Sequence, residues 1–471
     1  VKLLESKQFI KTSSFDLVLD PHFKPAITAL EHFENAVKNS KNYHEVQVAI
    51  KRHHEQMTVY QTVVFHESHV DAKKNVYFLE RLIKTLLWTV GGYEVLYKGP
   101  LSIGTILENI YSHQGERKFD VGFMERIYEH EFRFIIVSSD ETLKTYEMTQ
   151  AIGRNLDGCR IGFDAGGSDR KVSAVVNGEA IYSEEVIWYP KINNDPNYHI
   201  QGIKDSILRA ASKMPRVDAI GVSSAGVYID NKAMVASLFR EVPDHLYNEF
   251  IKPIYIKIAK ELDVDIEVAN DGDVTALAGS MSLNDYEVLG IAMGTSQAVG
   301  YVNHEGHITG WLNELAFVPV DFSGEAPQDE WSKDYGVGVS YFSQEAVIRL
   351  APAANIMIDD KLTPAEKLDY VQKLVQLGHE GALEIFRTIG IYLGYALAYY
   401  ARFYQFRHVL ILGRVTSNLS GELIIKWAKE VLKKEFKSLY DTINIQLPDE
   451  KSRRVGQSIA AASLPKIKEK K

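Results

Sequence analysis

Hydrophobic spacing changes character near Asp157-Gly158. Before that point, apolar runs of strand type (Val46–Ile50, Val59–Phe65, Tyr93–Tyr97, Phe132–Val137) mix with runs of helical period (Pro25–Lys38, Val76–Trp88, Ile106–Tyr111). This pattern predicts an α+β region over residues 1–157. After it, apolar runs alternate with helical periods, as expected for α/β layers.

The later region divides into two similar halves, 158–285 and 286–471. The first opens on the run Arg160–Phe163, turns at Gly166-Gly167 and returns along Val172–Val176. The second opens on Val288–Ala292, turns at Gly294-Thr295-Ser296 and returns along Ala298–Val302. A strand, glycine turn and strand used twice suggests a duplicated scaffold closing on one ligand. Between Glu305 and Gly338 no regular period holds, which marks a functional loop or local subdomain. Ala382–Phe406 is apolar at helical spacing throughout and predicts a buried helix. His408–Leu412 then reads as a strand ending at Gly413, with a helix from Gly421 onward.

Composition adds boundaries to this picture. With 471 residues, 45% of them hydrophobic, the chain has ample material for a core without metal or disulfide staples. The single cysteine, Cys159, allows neither an internal disulfide nor a cysteine-based zinc site, and fits a reducing cytoplasm. A net charge of −9, with residues 1–150 near −2, disfavours nucleic-acid binding, which needs clustered Lys and Arg. No apolar run reaches membrane-spanning length, and Val1–Lys7 carries no signal-peptide core, so a cytoplasmic location is expected. Nine of the 15 histidines lie in the first 150 residues, and they read as ordinary surface or core residues.

Three segments hold candidate chemistry. In Asp164-Ala165-Gly166-Gly167-Ser168-Asp169-Arg170-Lys171, glycines at a hairpin tip let backbone N–H groups approach a phosphate, and Ser168 adds a hydroxyl. Alternation aims Arg170 and Lys171 to opposite faces. Asp164 is placed to hold a hydrated Mg²⁺. Gly294-Thr295-Ser296 is a second such turn. Taken alone, each turn reads equally as an ordinary hairpin tip. In Asn270-Asp271-Gly272-Asp273, a strand ends beside a helix start, the edge where open α/β folds do their chemistry. Asp271 has three readings: general base, N-cap, or Asx-turn former. Asp273 is expected to cap the helix, which leaves Asp271 to the cleft.

These residues resemble the ROK family of sugar kinases and repressors, within the actin/Hsp70/hexokinase superfamily, over Arg160 to Ala462. The resemblance implies a two-lobed actin-like ATPase (ribonuclease H-like) α/β fold with duplicated lobes. Asp164–Ser168 resembles the family's first phosphate motif and Gly294-Thr295 the start of its second. Asn270–Ala278 resembles the signature segment whose aspartate is the catalytic base in family kinases. Ile411-Leu412-Gly413 resembles the adenosine motif, where glycine lets the nucleotide lie flat. Ile220–Gly226 with Ala236–Phe239 resembles the strand and sugar loop, which brings Ser237 to the substrate. The implied activity is ATP- and Mg²⁺-dependent phosphorylation of a hexose or amino sugar. Asp271 is the base, Ser237, Asn270 and Glu314 contact the sugar, and Gly166, Gly167, Ser168, Gly294, Thr295 and Ser296 cradle phosphate.

The sequence also departs from the family. Phe317 stands where a histidine that binds sugar, and often zinc, is usual, and Phe322–Gly338 has no cysteine. Zinc is therefore not expected, and an aromatic such as Trp311 or Phe317 is expected to line the sugar pocket. The region before Asp157 matches no family repressor's winged helix and is read as a dimerisation or lid module, with a homodimer as one outcome. The alternative function is a sugar sensor without catalysis. A superfamily ATPase serving an iron–sulfur enzyme is disfavoured, because the lone cysteine excludes the usual cluster ligation within one chain.

Overall fold

The computed structural model describes residues 13–148, 152–448 and 450–467. The segment Val1–Lys7 lies outside them. Among the described residues, fifteen strands form three main sheets and one small ribbon.

The N-terminal region carries β1 (Tyr43–Lys51), β2 (Met57–Phe65), β3 (Glu94–Lys98) and β4 (Arg133–Ile136) in the order β2-β1-β3-β4. The β1–β2 hairpin runs antiparallel from Tyr43↔Phe65 to Lys51↔Met57, β3 pairs antiparallel with β1, and β4 adds parallel to β3. Helices Ala26–Asn39 and Asn75–Thr89 pack with this sheet, as their apolar spacing predicts. The helix expected at Ile106–Tyr111 begins earlier, at Leu101, and a further helix, Lys118–Tyr128, was not evident from its short apolar face.

The next sheet holds β5 (Cys159–Ala165), β6 (Asp169–Val176), β7 (Glu179–Ile187), β8 (Ala219–Ser224) and β11 (Asp265–Asn270), in the order β11-β8-β5-β6-β7. The ribbon of β9 (Val227–Ile229) and β10 (Lys232–Val235) follows β8. Strands β5, β6 and β7 form an antiparallel meander, whereas β8 and β11 add parallel to β5. Central β5 is buried at every residue, while edge strand β7 alternates between exposed and half-buried positions. The third sheet, β13-β12-β14-β15, uses β12 (Val288–Met293), β13 (Gln297–Val302), β14 (His408–Leu412) and β15 (Asn444–Gln446). It repeats the plan of an antiparallel hairpin with two strands added parallel on one side. This is the two-lobed actin-like ATPase fold. The long buried helix Glu380–Tyr400 ends six residues short of the predicted Phe406, giving way to turns before β14.

Two helices tie the lobes together. Helix Asp271–Leu283 leaves β11 of the first sheet and lies on β12 and β13 of the second, so close that a Cβ on Gly300 would sit 2.1 Å from Gly272 O. Helix Glu450–Ala462 crosses from the second half back onto β5 and β8, where a Cβ on Gly221 would sit 1.6 Å from Ala461 O. The C-terminal helix, placed within 286–471 by sequence, thus packs on the first lobe. Only glycine permits that approach.

The N-terminal region shares its core with the second lobe. Phe23 meets Tyr392 with ring centroids 4.5 Å apart, Trp88 meets Phe317 at 4.3 Å, and Phe78 meets Phe322 at 6.0 Å. Backbone bonds reinforce the seam, with Ala26 N–H donating to Val320 O at 2.9 Å and Phe322 N–H to Lys24 O at 2.8 Å. Among the described residues no helix is long and apolar enough to cross a membrane.

Candidate active site

Parallel register sets the first half of the site. Ala165 on β5 and Asn270 on β11 both pair with Ser224 on β8, so the three strands end together at one edge. Asp164 lies at that edge, buried, opposite Ser223, whose hydroxyl donates to its Oδ1 at 2.8 Å. Burial pushes the Asp164 carboxyl up to about 6, opposed by the Ser223 bond and reinforced by the charge of Asp271. The turn that follows, Gly166-Gly167-Ser168, is pinned by Trp188. Its indole N–H donates to Gly166 O at 2.8 Å and its backbone N–H to Ser168 O at 3.1 Å. Arg170 turns away, its Nε donating to Ser206 at 2.9 Å, and Lys171 pairs with Asp169 at 3.1 Å, so the two cations do face opposite ways.

Asn270 begins the helix Asp271–Leu283. Its backbone is extended (φ −58°, ψ 142°), its Oδ1 accepts from Gly272 N–H at 2.7 Å, and its Nδ2 donates to Gly226 O at 2.7 Å. The expectation that Asp273 caps the helix is therefore corrected: the cap is Asn270, three residues earlier. Asp273 turns inward, where its Oδ1 accepts from Tyr301 N–H and from Asn313 Nδ2, each at 3.0 Å. Asp271, half-buried, accepts Gly272 N–H on Oδ1 at 3.0 Å. Its other oxygen takes no hydrogen bond among the described residues. Burial raises its pKa, against the Gly272 N–H bond and the nearby Lys191 ammonium.

Glu314 comes from the irregular stretch after β13. The segment leading to it hangs on the last turn of helix Asn75–Thr89, with Leu312, Asn313 and Glu314 N–H donating to the carbonyls of Val90, Thr89 and Trp88 at 3.1, 3.0 and 2.9 Å. These are carbonyls the helix end leaves unsatisfied. Burial pushes Glu314 up to about 7, with the charge of Asp271 adding to the effect. Asp271 thus lies in electrostatic reach of both Asp164 and Glu314.

The second lobe supplies the other edge. β12 and β14 are parallel through Ala292↔Leu412, so Gly294 and Gly413 emerge side by side. Gly413 has φ +99°, and a Cβ there would lie 2.3 Å from Met293 O. Gly294 N–H donates to Ser296 O at 3.0 Å, Gly294 O accepts from Gln344 N–H at 2.8 Å, and Thr295 and Ser296 are exposed. Gly272, beside Asp271, abuts Val299. Val299 lies three strand residues from Ser296, about 10 Å.

Ser237 is exposed on the turn Ser237–Phe239, packed beside the turn Pro190–Ile192. Lys191 from that second turn was not singled out by sequence. Its Nζ would be 3.0 Å from a Cβ on Gly167, so the ammonium lies over the first glycine turn as well as near Asp271. A lone lysine after proline carries no local signal of this placement.

The two aromatics expected at the sugar pocket part company. Phe317 is buried among Trp88, Phe119, Phe123 and Trp331 at centroid distances from 4.3 to 6.4 Å, and fills the seam with the N-terminal region instead. Trp311 does line a cavity of about 330 Å³ behind Asn270, together with Arg52, His53, Tyr228 and Asp273. Asp271, Glu314 and Ser237 do not line this cavity.

Several site carboxyls bind protons more tightly in the folded chain. Burial lifts Asp273 to about 7, against its bonds from Tyr301 and Asn313, and Asp321 to about 7, against its bond from Tyr341. A group with a raised folded pKa stabilises fully below its unfolded pKa, near 4, and loses that contribution as pH rises through the folded value. The melting temperature is therefore expected to fall by about 3 °C or more between pH 5.5 and 8, and Asp273→Asn to flatten that slope. A scanning calorimetry series in which both proteins keep the same slope would contradict the assignment.

No protein-family model matches the chain, and no curated protein matches its sequence. Solved structures do match in shape. The ROK hexokinase from Thermus thermophilus superposes with a TM-score of 0.50 at 15% identity, covering 64% of this chain and 97% of that one. A ROK family glucokinase from Streptomyces griseus in complex with glucose and AMPPNP gives 0.44 at 19% identity, over 65% and 98%. A ROK family transcriptional regulator, a homologue of the E. coli MLC protein, gives 0.47 at 16% identity, over 66% and 79%. At such identities the likeness is one of fold, and it extends over about two thirds of this chain.

Proposed function

We propose that the chain is a ROK-type kinase that transfers the γ-phosphoryl group of ATP to a hydroxyl of a hexose or amino sugar. The observation that carries this reading is the placement of Asp271. It stands at a helix start, with one carboxylate oxygen uncommitted, and its charge is felt by both Asp164, at the head of the first glycine turn, and Glu314. Phosphoryl transfer asks a protein chiefly to position the reactants and neutralise charge, with one residue orienting the nucleophile.

In this reading Asp271 accepts the proton of the attacking hydroxyl. Glu314, Asn270 and Ser237 bind sugar hydroxyls. The backbones of Gly166, Gly167 and Ser168 on one edge, and of Gly294, Thr295 and Ser296 on the other, hold phosphate oxygens. Lys191 adds positive charge over the first turn. The backbone at Gly413, which closes against Met293 at the end of β14, receives the nucleoside. Asp164, held by Ser223 on one oxygen, suits a water-mediated hold on Mg²⁺, which when bound neutralises the phosphates.

The test is a coupled ADP-release screen with Mg²⁺-ATP against a panel of hexoses and amino sugars. Turnover dependent on at least one sugar is expected, in the range of about 1–100 per second typical of kinases. Sugar binding by calorimetry with no ADP release for any member of the panel would replace the kinase with a non-catalytic sensor.

A further inference from the structure

Two histidines and a carboxylate meet at the open end of the β1–β2 hairpin. His44 is the second residue of β1, and His66 follows the last residue of β2. The ladder pairs Tyr43 with Phe65, so both imidazoles leave the sheet at the same end. Their rings stack at 4.9 Å between centroids and 20° between planes. Glu67 reaches both: its Oε2 lies 2.7 Å from His44 Nε2 and its Oε1 3.5 Å from His66 Nε2. One ligand atom from each residue lies within 4.8 Å of the others.

These spacings suit a metal. Tetrahedral zinc with bonds of about 2.0–2.2 Å holds its ligand atoms about 3.3–3.5 Å apart. The two contacts use different Glu67 oxygens, and with one atom taken from each residue all three lie within 4.8 Å, so side-chain rotation is enough to bring them to that spacing. Ser68 Oγ, 2.9 Å from His66 Nδ1, is placed to accept the Nδ1 proton and leave Nε2 for the metal, in exchange for the 3.3 Å bond from Ser68 N–H. The nearby His69 takes no part, since its ring stacks on Phe65 at 4.2 Å and its Nδ1 accepts from Asp71 N–H.

We propose that His44, His66 and Glu67 form a binding site for a divalent transition-metal ion of the zinc class, which clips the start of β1 to the segment after β2. Water completes the tetrahedron. The site is independent of the kinase reading, because seven strand residues, about 23 Å, separate His44 from Lys51, whose neighbour Arg52 lines the cavity behind Asn270.

Calorimetric titration of the full chain with ZnCl2 at pH 7.5 tests it, with Co²⁺ absorption as a second readout. One equivalent is expected to bind. His44→Ala or His66→Ala should weaken that binding about 30-fold or more, and Glu67→Gln several-fold. Binding should also weaken as pH is lowered, because protons and metal compete for the same ligand atoms. His113→Ala is the control, since His113 pairs with Glu125 at 3.1 Å in a similar exposed contact that lacks a third ligand. Zinc should raise the melting temperature of the wild type and not of the His44→Ala/His66→Ala double variant. An isotherm unchanged in that double variant, or no binding at 100 μM zinc, overturns the proposal.

Discussion

Asp271→Asn is expected to lower sugar-dependent ADP release by about 10²–10⁴-fold while sugar and nucleotide affinities stay within a few-fold. The substitution is conservative where structure is concerned. Asparagine keeps an oxygen to accept Gly272 N–H, and Asn270, not residue 271, caps the helix. What it removes is the only proton acceptor at the uncommitted oxygen. In the proposed role the loss should fall on kcat, because a general base acts in the transition state and contributes little to ground-state binding. The pH profile adds a readout that a folding defect would not reproduce. Burial raises the Asp271 carboxyl, so wild-type kcat/KM should decline on acidification with a midpoint above the ordinary carboxylate range. The residual activity of the variant should lack that step. Unaltered turnover in Asp271→Asn would remove Asp271 from the chemistry.

Much of this arrangement was legible in the sequence because it is local. The glycine turns at Gly166-Gly167 and Gly294 announce hairpins, and the flanking apolar runs fix strands to within two or three residues of β5, β6, β12 and β13. The four strands of the N-terminal region were legible for the same reason. What escaped depends on contacts between distant residues. Nothing near Lys191 indicates that its ammonium lies over Gly167. Nothing near Trp88 indicates that its carbonyl receives Glu314. The misassigned cap has a physical cause too: Asp273 follows a glycine and looks like a helix start, but Tyr301 and Asn313 on the facing lobe claim its carboxylate. Phe317 misled in the same way, since an aromatic three residues after Glu314, expected to contact the sugar, suggests a pocket wall until Trp88 and Phe123 supply its partners.

The same long-range seam yields the largest stability effect. Helix Asn75–Thr89 buries Glu80, Arg81 and Lys84, which meet Arg117, Asp120 and Asp334 in an interior network of three cations and three anions. Asp334 is the hub, accepting from Arg81 Nη1 at 3.0 Å, Arg117 Nη1 at 2.9 Å and Lys84 Nζ at 3.3 Å. Burial alone would raise its pKa, but these three cations overcome burial and hold the carboxyl far below the usual range. The network is neutral as a whole, so removing one anion strands a positive charge out of water. Asp334→Ala is expected to cost about 3–5 kcal/mol of unfolding free energy in a denaturant titration, against near-neutral effects for exposed pairs such as Lys437–Asp441. Lys84→Met/Asp334→Asn restores charge balance, and the double variant should lose clearly less than the sum of its single changes. Asp334 has a depressed folded pKa, so its contribution is complete above its unfolded value near 4 and is lost only on stronger acidification. The Asp334→Ala deficit should therefore be constant between pH 5.5 and 8, where the Asp273 effect varies. Because helix Asn75–Thr89 also carries Leu312, Asn313 and Glu314 on its last carbonyls, loosening it should raise the KM for sugar more than it lowers kcat. Additive single and double variants, or a stability loss under 1 kcal/mol, would show that the buried charges are not coupled as their geometry requires.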